Sequence, residues 1–131
     1  MVRNNIIIRG LAFLIMIGCL FSCYKDKTVV SDTGDEVTRA VSFANDIVPI
    51  FNASCNGSGC HSVGGKSPEL SAANAFGNLS SGNYVNKDDA VNSELLKWMT
   101  GKKSTPMPTS GINKDYNALV LAWIKQGAEN N

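Results

Sequence analysis

The sequence predicts an all-α domain, a small one of about four short helices joined by long loops. Three observations lead there. Apolar residues recur at helical spacing in four separate stretches, each preceded or opened by a residue able to cap a helix. No alternation of Val, Ile or Thr of the kind that builds a half-buried sheet is present. With no internal repeat, 131 residues at 44% hydrophobic and 18% charged content suit one globular core.

The first stretch stands outside that core. Arg3 and Arg9 precede an uninterrupted apolar run from Gly10 to Phe21, twelve residues long, which fits the core of a secretory leader and is too short to span a bilayer. It ends in Leu20, Phe21, Ser22, Cys23, which looks like a bacterial lipobox, with Phe21 bulkier than usual. Residues 1–22 are thus expected to be a lipoprotein signal peptide, and Cys23 the acylated first residue. Two or more acyl chains make a stable anchor, because each buried methylene contributes roughly 0.8 kcal/mol. Cleavage after Gly18 to expose Cys19 is the rival, and would strand Leu20 and Phe21 in the mature chain.

Residues 23–40 are polar, rich in Asp, Thr, Ser and Lys, and without a sustained hydrophobic period, so they are expected to be a flexible tether. About 17 such residues have a root-mean-square reach of roughly 20 to 25 Å. Setting Arg3 and Arg9 aside with the leader leaves ten Lys and Arg against eleven Asp and Glu, a net charge of −1. Nucleic-acid binding has no support in that balance.

The folded domain is placed at 41–131. Phe43, Ile47, Ile50 and Phe51 share one helical face, with Asp46 as a cap that would put Pro49 in the first turn. Ser71 can open a second helix through Ala75, Phe76 and Leu79, turned at Gly82 and Asn83. Asn92 or Ser93 can open a third through Leu95, Leu96, Trp98 and Met99, ended by Gly101. The last begins near Asn113, carries Tyr116, Leu119, Val120, Trp123 and Ile124, and stops at Gly127. Between the last two lies Thr105, Pro106, Met107, Pro108, which can be neither regular helix nor central strand. Four short helices bury a thin core, and domains of this size often need a staple or a cofactor.

The chemistry concentrates in Cys55, Asn56, Gly57, Ser58, Gly59, Cys60, His61. Covalent haem attachment needs two thiols for the vinyl groups and an imidazole close behind for the iron, most often as C-x-x-C-H. Here four residues separate the thiols, and a regular helix would rotate them apart by about 140°. The intervening stretch must loop out, for which both glycines are suited because they accept positive φ. His61 is the one histidine in the chain. Its second ring nitrogen is expected to donate to a carbonyl between Val63 and Leu70. Intramolecular bis-histidine ligation is excluded, and Met107, 46 residues further on in its irregular loop, is placed to present a sulfur.

These features resemble the class I monohaem c-type cytochromes, as a C-x4-C-H variant on a lipoprotein, with the likeness running from about Phe43 to the end. The resemblance implies one covalent haem c held by Cys55 and Cys60, with His61 and Met107 as axial ligands. It implies Trp123 and Ile124 packed on Phe43, Ile47 or Phe51. It also implies a one-electron carrier rather than an enzyme, anchored through Cys23 to the periplasmic side of the inner membrane or to the outer membrane. Its partners would be the redox proteins of an electron-transfer chain. Met99, Trp98 and Trp123 are read as packing residues, and Lys102 with Lys103 as solvated surface or as docking charges for an acidic partner.

Two other classes compete. Without Met107 on the iron, an open position would bind a gas or react with peroxide. Without haem, Cys55 and Cys60 could close a small disulfide loop in a binding module, as an oxidising compartment permits. Zinc is weaker, since the mature domain offers no fourth Cys or His.

Overall fold

A computed structural model describes residues 32–131. The expected signal peptide, Cys19, Cys23 and the first part of the tether lie outside the described residues. The rest is all-α, with four α-helices and no strand among the described residues. A π-helical turn, Phe43–Ile47, runs into α1, Val48–Ser54. After a long loop come α2, Ala75–Ser81, a 3-10 turn, Ala90–Asn92, and α3, Glu94–Met99. A second long loop leads to α4, Lys114–Lys125. No helix among the described residues is long and apolar enough to cross a membrane.

The first helical segment starts on Ser42, not Asp46. Ser42 Oγ accepts the Asn45 N–H at 3.2 Å, and Asp46 reaches back to accept the Ser42 N–H at 2.8 Å, satisfying donors that a helix start leaves open. Arg39 holds the same carboxylate through both oxygens, at 2.6 and 2.9 Å. Pro49 is tolerated because it falls in the first turn of α1, where its missing N–H is not needed. α2 begins three residues later than Ser71 would set it. Ser71 instead donates to Glu69, and Asn74 occupies the cap position. Asn113 caps α4 as its type predicts, accepting from the Asp115 and Tyr116 N–H groups at 3.1 Å.

The core is one cluster between the first helical segment and α4. Ile47, Phe51, Leu79, Leu96, Val120, Trp123 and Ile124 are sealed from solvent. Phe43 sits at its centre, 5.1 Å from the Trp123 ring, 5.4 Å from Phe76 and 6.3 Å from Phe51, the last two edge-to-face. Residue 131 closes this region: the Asn131 carbonyl accepts from the Ala44 N–H and Ser42 Oγ, and its side-chain oxygen accepts from the Phe43 N–H.

The boundary set at residue 40 moves toward the N-terminus. From Asp32 the chain is already bonded to the domain: the Gly34 N–H donates to the Lys114 carbonyl at 2.7 Å, and Asn117 Nδ2 donates to the Asp32 carbonyl at 2.8 Å. Val37 packs on the core, and the Gln126 amide grips Arg39 and Val41 by their backbones. The polar composition of 32–40 hid this, because most of the contacts are made by its main chain, with Val37 as its apolar contact.

Candidate functional site

Cys55 is the residue after α1, and its N–H still donates to the Phe51 carbonyl at 2.8 Å. The Asn-Gly-Ser-Gly stretch then leaves the helix and returns. The Cys60 N–H closes a turn onto the Gly57 carbonyl at 2.9 Å, and the His61 N–H donates to the Cys55 carbonyl at 3.0 Å. A C-x-x-C-H segment would make that last bond as an ordinary helical one, four residues back. Here it spans six, so the extra pair is extruded as a bulge while His61 keeps its helical relation to Cys55. Only Gly59 of the two glycines enters the left-handed region, at φ +74°.

Asn56 is more than a turn former. Its Nδ2 donates to Asn52 Oδ1 at 3.0 Å and to the Leu70 carbonyl at 2.8 Å, pinning the bulge to the chain that returns from His61. The Leu70 N–H in turn donates to the His61 carbonyl at 2.7 Å. The long loop is thereby a closed frame around the imidazole.

That frame fixes the ring. His61 Nδ1 lies 2.9 Å from the Pro68 carbonyl oxygen and 3.2 Å from that of Lys66. A carbonyl can only accept, so these contacts are hydrogen bonds when the proton is on Nδ1, which leaves the Nε2 lone pair available to a metal. Pro68 lies inside the interval expected for this partner.

Both thiols are free, Cys60 exposed and Cys55 half-buried. Burial, and secondarily the charge of the neighbouring Cys60, push the Cys55 thiol up to about 11, so it stays protonated at neutral pH. No disulfide joins the two. No group of three or more His, Cys, Asp or Glu side chains that could hold a metal ion converges among the described residues.

Cys55, Cys60 and His61 face a cleft of about 280 Å³. Phe51, Pro68 and Leu70 continue their wall, and Tyr84, Leu95, Trp98 and Met99 supply a second. Met107, Pro108 and Thr109 line it from the loop before α4. The Met107 N–H donates to the Trp98 carbonyl at 3.0 Å, which ties that loop to the end of α3. All four residues expected to hold a haem thus border one cavity. Its lining is mainly apolar, as ligand clefts are. Free thiols on the wall, an imidazole with one nitrogen unengaged, and a thioether from a distant loop fit an iron porphyrin attached through its vinyl groups.

Comparison with protein families, with curated proteins and with solved structures finds no match to this chain.

Two residues read as packing also reach the cleft. Met99 is buried, as packing required, yet it also lines the cavity beside Met107. Trp98 is a wall whose indole N–H donates to Glu94 Oε1 at 3.1 Å. The same oxygen pairs with Lys103 at 2.6 Å, and the ammonium sits 5.8 Å from the Trp98 ring centre. Lys103 thus lies in a half-exposed ion pair against the Trp98 ring. The Pro68 carbonyl, the Asn56 clamp and the Tyr84 wall carry no motif. They arise from how the loop 55–70 closes.

Proposed function

We propose that this protein is a one-electron carrier in which a single covalent haem c, bound through Cys55 and Cys60, is ligated by His61 and Met107. The observation that carries the reading is the placing of His61. Its Nδ1 is tied to Pro68, and its ring borders the same cleft as two free thiols and the one methionine held in a proline-bracketed loop. When bound, the group supplies a reversible ferric/ferrous couple.

The chain's own residues do the rest. The Pro68 carbonyl holds the His61 ring in one orientation and makes it a better donor. The Trp98 carbonyl holds the backbone of Met107. Phe51, Leu70, Leu95 and Met99 keep water from the buried side, which, with thioether ligation, raises a reduction potential relative to an exposed site. Cys55 and Cys60 would hold the group by their sulfurs, each thiol giving its sulfur and its proton to a vinyl group, an addition that would need no oxidant. In this reading Cys23 carries the lipid that keeps the domain outside the cytoplasm at a membrane, and the partners are redox proteins of an electron-transfer chain.

The test is a haem stain after denaturing electrophoresis, on protein made in cells competent for cytochrome maturation. Wild type should stain, and the Cys55→Ala, Cys60→Ala double variant should not. Unstained wild type with an intact mass showing only the polypeptide sinks the proposal.

A further inference from the structure

We infer that Asn117 is a positioning residue for Met107, and that through it the docked segment 32–40 governs how firmly that sulfur ligand is held. The inference rests on the haem reading, which assigns the ligand.

α3 is six residues long, and the last carbonyls of so short a helix run out of helical partners. Two adjacent ones are taken up by different parts of the chain. The Trp98 carbonyl accepts the Gly101 and Met107 N–H groups, at 3.3 and 3.0 Å, and the Met99 carbonyl accepts Asn117 Nδ2 at 3.3 Å. The loop bearing Met107 also rests on this end of α3: a Cβ added at Gly101 would stand 2.9 Å from the Ile112 side chain and 3.8 Å from that of Pro106. Trp98 and Met99 themselves line the cleft. The end of α3 is therefore what the Met107 loop is built upon.

Asn117 joins this end to the segment before the domain. The same Nδ2 donates to the Asp32 carbonyl at 2.8 Å, so one amide nitrogen uses both its hydrogens on main-chain carbonyls. Turned about, the amide would set its oxygen against both carbonyls, which fixes its orientation. In that orientation Oδ1 accepts nothing, although the residue is only 1% exposed. A buried acceptor left empty opposes folding, so the amide sits there for its two donor bonds. Close by in the chain, Gly34 seats the segment on α4. Its N–H donates to the Lys114 carbonyl at 2.7 Å, and an added Cβ would meet that oxygen at 3.1 Å and Asp115 Oδ1 at 2.9 Å. Docking thus holds Asn117, Asn117 holds the end of α3, and that end holds Met107.

Gly34→Val lifts the segment by crowding the Lys114 carbonyl, and Asn117→Leu cuts the link itself; neither residue lines the cleft. In the holoprotein both should speed proteolytic cleavage within 32–40. Both should also speed exchange of the Met107 amide hydrogen about fivefold, the effect of one lost hydrogen bond. The rate at which saturating carbon monoxide displaces Met107 from the ferrous protein should rise by about the same factor. The double variant should match the faster single variant and not multiply the two effects, because both cut one link. Phe76→Leu, which thins the core beside Phe43, should leave both rates within about twofold. A segment still protected in both variants, a released segment with wild-type rates, or a Phe76→Leu protein as fast as the other two would overturn the link while leaving the haem reading standing. Carbon monoxide that binds the wild type at once removes Met107 as ligand, and purified protein without haem removes the haem reading; either outcome takes this inference with it.

Discussion

His61 Nδ1 lies 2.9 Å from the Pro68 carbonyl oxygen, a hydrogen bond with the ring proton on Nδ1. The bond spans seven residues, and its acceptor is a backbone group that no side-chain substitution removes. On the proposed haem reading, His61→Ala should therefore lose the low-spin visible spectrum while keeping the pocket that oriented the ring. Added imidazole should restore that spectrum, with binding roughly ten- to a hundredfold tighter than to a haem peptide lacking such an acceptor. Titration by absorbance measures this, and an unaltered spectrum in His61→Ala would remove His61 as ligand.

Met107 is held by its backbone to Trp98 at 3.0 Å. Met107→Ala should abolish the methionine-to-iron charge-transfer band and let the ferrous protein bind carbon monoxide rapidly. Its reduction potential should drop by on the order of 100 mV, a fraction of the roughly 0.8 V that axial ligands span. Rapid carbon monoxide binding already in the wild type would favour the open-site alternative.

Asn56 joins the bulge to Asn52 and to the Leu70 carbonyl. Asn56→Ala leaves that carbonyl without its amide donor, and should destabilise the domain by about 1–2 kcal/mol in a denaturant titration. It should also raise the share of protein attached at Cys60 alone, because the return of the bulge is what sets Cys55 against Cys60. Mass spectrometry after blocking free thiols distinguishes one thioether from two.

The Asp46 carboxyl is held below the usual carboxylate range by its hydrogen bond to Arg39, and next by the Ser42 N–H. A lowered folded-state pKa means the carboxylate stabilises the fold at neutral pH, and that this share disappears as acid protonates it below about pH 4. Asp46→Asn should cost about 1 kcal/mol at pH 7, the size of a helix cap. The difference between variant and wild type should shrink toward pH 3. Thermal melts across that range supply the comparison, and a gap independent of pH would assign the loss to packing.

Asn117 is sealed from solvent, and its amide reaches both the Asp32 and the Met99 carbonyls, at 2.8 and 3.3 Å. Its own Oδ1 accepts nothing. Asn117→Leu should release segment 32–40, read as faster cleavage there in limited proteolysis. The penalty should stay near about 1 kcal/mol, since the substitution also removes a buried orphan acceptor.

The helices were legible because their signals are local. Asn113 caps α4, and Phe43, Ile47, Phe51, Trp123 and Ile124 fall where their spacing put them. The start of the first segment was not, because Ser42 and Asp46 both offer an oxygen there and the winding is π-helical, which no periodicity of 3.6 announces. At the site, the side-chain donors were visible as residue types. The Pro68 carbonyl was visible only as an interval of chain, and the Asn56 clamp not at all. Main-chain acceptors have no letter in a sequence, and the docked segment 32–40 was missed for the same reason.

The docked segment decides how a pull on the chain would reach the fold. Tension from the N-terminal side is borne first where Asn117 holds the Asp32 carbonyl and the Lys114 carbonyl holds the Gly34 N–H, both on the last helix. It reaches the first helical segment only through Arg39, which Asp46 and Gln126 grip.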